Sequence, residues 1–124
     1  MTWLSVALGG AFGAMARYGV VAYLVPVPSN RFPLGTLLAN YFGCFVIGAA
    51  YVLIMEKNLL GEQWRPFIIT GFLGALTTFS AFALETVQLW QAGHGGIAMA
   101  YIACSFIGCL LLTWLALSLT QQLL

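Results

Sequence analysis

Residues 71–82 read Gly71-Phe72-Leu73-Gly74-Ala75-Leu76-Thr77-Thr78-Phe79-Ser80-Ala81-Phe82, two glycines and three hydroxyl residues set into an apolar stretch. The stretch runs from Phe67 to Trp90, long enough to cross the about 30 Å hydrocarbon core of a bilayer as a helix. Its middle by count is Thr78 and Phe79. Glycine loosens a helix there, and threonine hydroxyls can satisfy backbone groups that a break would free. The segment reads in two ways. Either it is unwound backbone, which at that depth must line a cavity or bind an ion, or it is a continuous helix whose threonines bond back to its own carbonyls.

The rest of the chain sets this segment in a membrane. Of 124 residues 62% are hydrophobic, 15% aromatic and 6% charged, with a mean hydropathy of +0.99. The full charges are Arg17, Arg31, Glu56, Lys57, Glu62, Arg65 and Glu85. A soluble domain is about one quarter charged, so this composition excludes a soluble enzyme and a secreted disulfide scaffold. The net charge of +1 offers no basic patch for nucleic acid. Polar punctuation cuts out four apolar segments, about 3–25, 35–55, 67–90 and 96–119, and the expectation is an all-α membrane protein, a single four-span domain over residues 1–124. The connections PVPSNRFPL, EKNLLGEQWRP and QAGHG each carry proline or glycine to stop helices. Trp3, Trp64 and Trp90 lie near span ends, where an amphipathic ring suits the interface, and Gln121 and Gln122 make a polar tail. The start, MTWLSVALGG, lacks a basic region and its apolar run outlasts a signal-peptide core, so it reads as an uncleaved first span.

Four spans put the second loop on the side of the termini, with Lys57 and Arg65, against Arg31 on the other side. A difference of one is almost no instruction to the insertion machinery. Either the second loop is cytoplasmic by a narrow margin, or the protein inserts both ways and pairs with an inverted copy.

Few residues carry chemistry. Gly9, Gly13 and Arg17 fall at i, i+4, i+8 on one face of the first span, and small residues favour helix contacts in lipid, so Arg17 faces protein. A charge at that depth costs about 2.5 to 3.5 kcal/mol; Arg17 either snorkels or binds helix-end carbonyls, or it supports an anion pathway. Phe79 and Phe82 would turn their rings to one side of a resumed helix, where positive ring edges can face an anion, or simply pack. Asn40 is the one amide in the second span, and its NH2 supplies two donors, as ligand group or helix glue. Tyr101, Ser105 and Cys109 form a stripe at i, i+4, i+8 that can hand on an ion or knit helices. Glu85 stands roughly 10 Å beyond the 77–78 position, as proton carrier, anion gate or interfacial residue. Cys44, Cys104 and Cys109 sit in apolar runs without CxxC or Cys/His clustering and read as packing residues, and His94, among glycines, reads as solvated.

Taken in order, GGAFGAMARY at 9–18, PLGTLLAN at 33–40, GFLGALTTFSAF followed by Glu85, and Tyr101 with Ser105 give a chain that resembles the CrcB/Fluc family of fluoride channels over nearly its whole length. The resemblance implies four transmembrane helices per chain with a break in the third, and an antiparallel, dual-topology homodimer in the bacterial inner (plasma) membrane. It implies passive export of fluoride through two pores, with one structural Na+ at the dimer centre held by backbone carbonyls of Gly74 and Thr77. It further implies ring edges of Phe79 and Phe82 facing the ions, Asn40 as pore amide, and Arg17 near a vestibule. Thr36, Ser80, Tyr101 and Ser105 would belong to the polar track or its surroundings, with Glu85 the acidic residue after the motif. Three positions depart from the commoner pattern: Ala81, Ala83 and Cys109 replace residues that usually bear hydroxyls. Fluoride is small and strongly hydrated, so a selective pore must replace its water with close donors, for which Asn40, Ser80 and Ser105 are available. No phosphate loop or ATPase motif implies an energy source. The competing readings are a proton-coupled small four-span exporter, which needs a carboxylate in the first span where this chain has Arg17, and a non-transporting assembly subunit.

Overall fold

The computed structural model describes residues 2–24 and 32–124. The expected end of the first span at Val25, and Arg31 in the charge count of the first loop, lie outside the described residues. Among those described, all regular structure is helical: α1 (Thr2–Gly19), α2 (Leu34–Tyr51), α3 (Gly74–Leu76), α4 (Ser80–Gln91) and α5 (Gly95–Leu123). Wider π-helical turns continue α1 through Val20–Leu24 and α2 through Val52–Glu56, and a π-helical stretch, Pro66–Leu73, leads into α3. Four helices are long and apolar enough to cross a membrane: Thr2–Tyr23, Leu34–Glu56, Glu62–Gln91 and Gly95–Leu123. The third begins before Phe67 because Pro66 does not stop it. Proline sits here in the first helical turn, where its missing N–H would have had no partner. The polar tail also differs, since α5 stays helical to Leu123 and Gln121 donates to Glu56 at 2.9 Å at the end of the second span. The protein is a multi-pass membrane protein, and its exposed surface accordingly carries Phe12, Phe42, Phe45, Leu84, Leu110, Leu111 and Trp114, for which lipid is the solvent.

Two apolar cores flank α2. Leu37, Phe82, Leu89, Ala98 and Tyr101 join it to α4 and α5. Ala39, Ala50, Ile54, Leu73 and Leu76 join it to the third span's first half, with Ala16 and Val20 of the first span packed alongside. The third span therefore changes partners midway: residues 66–76 pack on α1, and α4 packs on α5. The first contact is backbone to backbone. A Cβ at Gly9 would collide with the Phe67 carbonyl oxygen, one at Gly13 with that of Phe72, and one at Gly71 would stand 2.8 Å from the Val6 oxygen. Small residues make that approach possible, and dispersion across it replaces the hydrophobic drive that lipid does not supply. Between α4 and α5, Gly93 turns the chain with φ +86°, a conformation that L side chains rarely adopt.

Candidate ion pathway

The switch of partners happens at residues 77–79. α3 ends at Leu76, Thr77 is extended at φ −89°, ψ 155°, and α4 begins at Ser80. Unwinding a helix frees the groups its i→i−4 ladder would have joined, and side chains here take up several of them. The Thr78 N–H, which an unbroken helix would aim at the Gly74 carbonyl, donates to Asn40 Oδ1 at 2.8 Å. Asn40 Nδ2 returns a bond to the Thr78 carbonyl at 3.1 Å. The Ala81 N–H, which would be aimed at the Thr77 carbonyl, donates instead to Thr78 Oγ1 at 3.1 Å, a side-chain cap on α4. Thr77 Oγ1 donates to the Leu73 carbonyl at 2.9 Å. Arg17 Nε donates to the Ala75 carbonyl at 3.2 Å, so of the readings open to Arg17 the structure displays the bond to a helix-end carbonyl. A cation is favourable at that negative helix end.

Beside this junction lies an open groove of about 260 Å³. Asn40 and Cys44 of α2 form one wall, Thr77, Thr78, Phe79 and Phe82 a second, and Ser105, Phe106, Cys109 and Leu110 of α5 a third. The room for Thr77 comes from Gly43, where a Cβ would collide with Thr77 Cγ2. Phe79 is 68% exposed while Phe82 is buried, with centroids 5.3 Å apart. Phe106 packs edge-on against both, at 6.5 Å and 5.8 Å. Ser105 Oγ is buried without a hydrogen-bond partner. Such a hydroxyl is costly unless something accepts its proton, and its residue lines a groove with aromatic walls, whose ring edges are positive.

One turn along the same helices lies a second cluster. Thr36 precedes Asn40, and Tyr101 precedes Ser105, by four residues, about 6 Å of helix. Thr36 Oγ1 donates to Glu85 Oε2 at 2.9 Å and Tyr101 OH to Glu85 Oε1 at 2.8 Å. Both carboxylate oxygens are held as acceptors. Phe82 separates the clusters, its centroid 5.0 Å from that of Tyr101, and Phe32 closes on Tyr101 edge-on at 5.5 Å. Asn40, Thr77, Phe79, Phe82 and Ser105 thus meet at the groove, and Thr36, Glu85 and Tyr101 meet beyond it. Ser80 stands at the margin, its hydroxyl 3.2 Å from Thr78 Oγ1. Arg17 and Gly74 are not among the groove's lining residues. Sequence reasoning passed over Phe106 and Gly43, and it read Cys44 as a packing residue. Phe106 follows Ser105 and so lies off the 101–105–109 stripe; only the packing of α4 on α5 brings it into the wall.

Residues 4–117 match the family described as CrcB-like protein, Camphor Resistance (CrcB). Among curated relatives, a protein of Saccharophagus degradans is 46% identical over 121 residues, 98% of this chain and 90% of the relative. One of Hahella chejuensis is 44% identical over 96% of this chain and 94% of its own length. One of Acidobacterium capsulatum is 44% identical over 94% of each. All three carry the name fluoride-specific ion channel FluC.

Proposed function

The chain belongs to the CrcB family, and from that premise we propose that it is a fluoride channel, exporting the ion passively across the bacterial inner membrane and so lowering cytoplasmic fluoride. The observation that carries the reading is Ser105, a buried hydroxyl with no partner, in a groove whose other polar groups are the Asn40 amide and the Thr77 and Thr78 hydroxyls. Asn40 Nδ2 spends one proton on Thr78 and keeps a second. Donors without a paired base suit a small anion that must shed its water.

The working unit is an antiparallel, dual-topology homodimer. The nearly balanced Lys/Arg distribution supports it, as does the exposed Phe79 on the groove's open side. The 77–79 junction is the break of the third helix at the dimer centre, and one Na+ bridges the two copies there. The donor set fits such an ion: the Gly74 and Thr77 carbonyls are the two whose ladder partners have gone to Asn40 Oδ1 and Thr78 Oγ1. Neutral backbone oxygens are hard ligands for a monovalent cation. No carboxylate lies in residues 71–82 to attract a divalent one. The ion would supply fixed positive charge at the break and join the chains. A proton-coupled exporter lacks support, because the first span offers Arg17 and not an acid.

Vesicles loaded with equimolar fluoride and chloride, with purified protein and no proton gradient, test the function. Rapid fluoride release with chloride retained is the expected result; equal release of both, or release that requires a proton gradient, contradicts it.

A further inference from the structure

Cys44 and Cys109 come from different helices, α2 and α5, yet line the same groove. Cys109 lies one helical turn before Thr113, whose hydroxyl bonds the Cys44 carbonyl, so the packing of α2 on α5 brings the two cysteines to the same level. Two hydrogen bonds lock the helix register on either side of the pair. Tyr41 OH donates to the Cys104 carbonyl at 2.6 Å, and Thr113 Oγ1 donates to the Cys44 carbonyl at 3.0 Å. Glycines remove what would hold the backbones apart: a Cβ at Gly108 would collide with the Tyr41 hydroxyl, and one at Gly48 would stand 2.7 Å from the Thr113 oxygen. The separation of the two sulfurs is therefore set by backbone packing and not by flexible stems. Both cysteines are free.

Two convergent thiols select a particular ligand chemistry. Zinc asks for three or four ligands, and among the described residues no cluster of three or more His, Cys, Asp or Glu exists to hold it. Thiolates favour soft ions, and two of them satisfy a d10 ion of linear preference. Charge decides between such ions. A monovalent ion on two thiolates leaves a fixed net negative unit at membrane depth, which is costly, whereas a divalent ion leaves a neutral one. We propose that Cys44 and Cys109 form a two-coordinate site for a soft divalent d10 cation of the mercuric type, and that its occupancy closes the groove. Two S–H bonds and the ion's two bonds to chloride or water break, two S–Hg bonds form, two protons and the displaced ligands leave to water, and no electron is transferred. The closure rests on the conducting role proposed above; the metal site does not.

Mercuric chloride titrated into the full-length protein tests both parts. The ultraviolet charge-transfer absorbance of Hg–S bonds and the count of titratable thiols report binding, and fluoride release from vesicles reports closure. In the Cys104→Ala background, which removes the exposed third thiol, expected are one Hg(II) per chain, two thiols lost together, and flux abolished and restored by excess dithiol. Cys44→Ala and Cys109→Ala, each compared with its own unblocked flux, should weaken binding by about 100-fold or more, because the second thiol no longer acts as an intramolecular ligand. Cys44→Ser and Cys109→Ser repeat the comparison with a closer volume. Cys104→Ala, which alters an exposed position outside the groove, should leave metal affinity and block as they were. Unchanged affinity in the Cys44 and Cys109 variants, or loss of the effect in Cys104→Ala, overturns the site. A wild-type protein that takes up Hg(II) and keeps its flux overturns the closure. Should the untreated protein pass no fluoride at all, the channel reading fails on its own, and the absorbance titration still decides the site.

Discussion

Asn40 has two duties on one side chain, and its substitutions separate them. Its amide pairs with both backbone groups of Thr78, so Asn40→Ala orphans a partly buried N–H and C=O, at up to about 1 to 3 kcal/mol each. Asn40→Asp keeps an acceptor for the N–H but loses the NH2 and adds a charge that repels anions. Both should lower fluoride flux by at least ~10-fold, equivalent to about 1.4 kcal/mol, but only Asn40→Ala should also markedly lower thermal stability in detergent. Flux unchanged in the aspartate variant would remove Asn40 from the pathway. At Glu85, both oxygens accept hydroxyl protons, from Thr36 and Tyr101. Glu85→Gln presents one carbonyl and an NH2, so one hydroxyl loses its acceptor and the cluster rearranges. Flux should slow, yet in this variant and in the unmodified protein it should ignore an imposed proton gradient. Fluoride accumulated against its gradient by protons would overturn passive conduction.

Glycines of the same third-span packing scheme answer differently to substitution at the scale of elements. Gly13 is buried, with the Phe72 carbonyl where its Cβ would be, so Gly13→Leu should part α1 from the third span and leave little folded protein. At Gly74 the nearest atom to an added Cβ is the Ile69 oxygen at 3.6 Å, and the position is exposed within one chain. Gly74→Leu should therefore leave each chain folded while abolishing both dimerisation and transport, measured by chromatography and vesicle flux; a dimer of wild-type activity would contradict the proposed centre. Thr77→Ser retains the backbone carbonyl and the hydroxyl bonded to Leu73, and should be tolerated. Much of this was legible in the chain itself. Glycine and threonine at mid-span left unwound backbone and a back-bonded helix both open, and both threonine hydroxyls are occupied with backbone groups, which either reading allowed. The glycine spacing that ended in Arg17 marked the face of α1 that meets the third span. Gly43 and Phe106 escaped notice because their roles depend on helix rotation and tilt, which a single helix's period does not encode. Glu85's two partners were each visible, but nothing in spacing joins residues 36, 85 and 101 before three helices are packed.

At the scale of the whole molecule, one chain leaves an open groove, an exposed Phe79 and apolar faces over most of α5. The inverted second copy proposed above would cover such a face, and it needs chains of both orientations. Impermeant reagents should label a C-terminal tag from both sides of the membrane. Two lysines added to one loop should force a single orientation and abolish transport unless a chain forced the opposite way is supplied. Labelling from one side alone would sink the inverted pair. On the proposed reading the groove bearing Ser105 and Asn40 passes fluoride, selectively and without coupling. The reversal potential across a bilayer holding the purified protein tests it most directly, with fluoride graded tenfold between the chambers, chloride equal on both sides and pH matched. An uncoupled, fluoride-selective channel gives a potential near the fluoride equilibrium value, ~59 mV for a monovalent ion. A potential near zero, or one that follows an imposed pH difference, would contradict it.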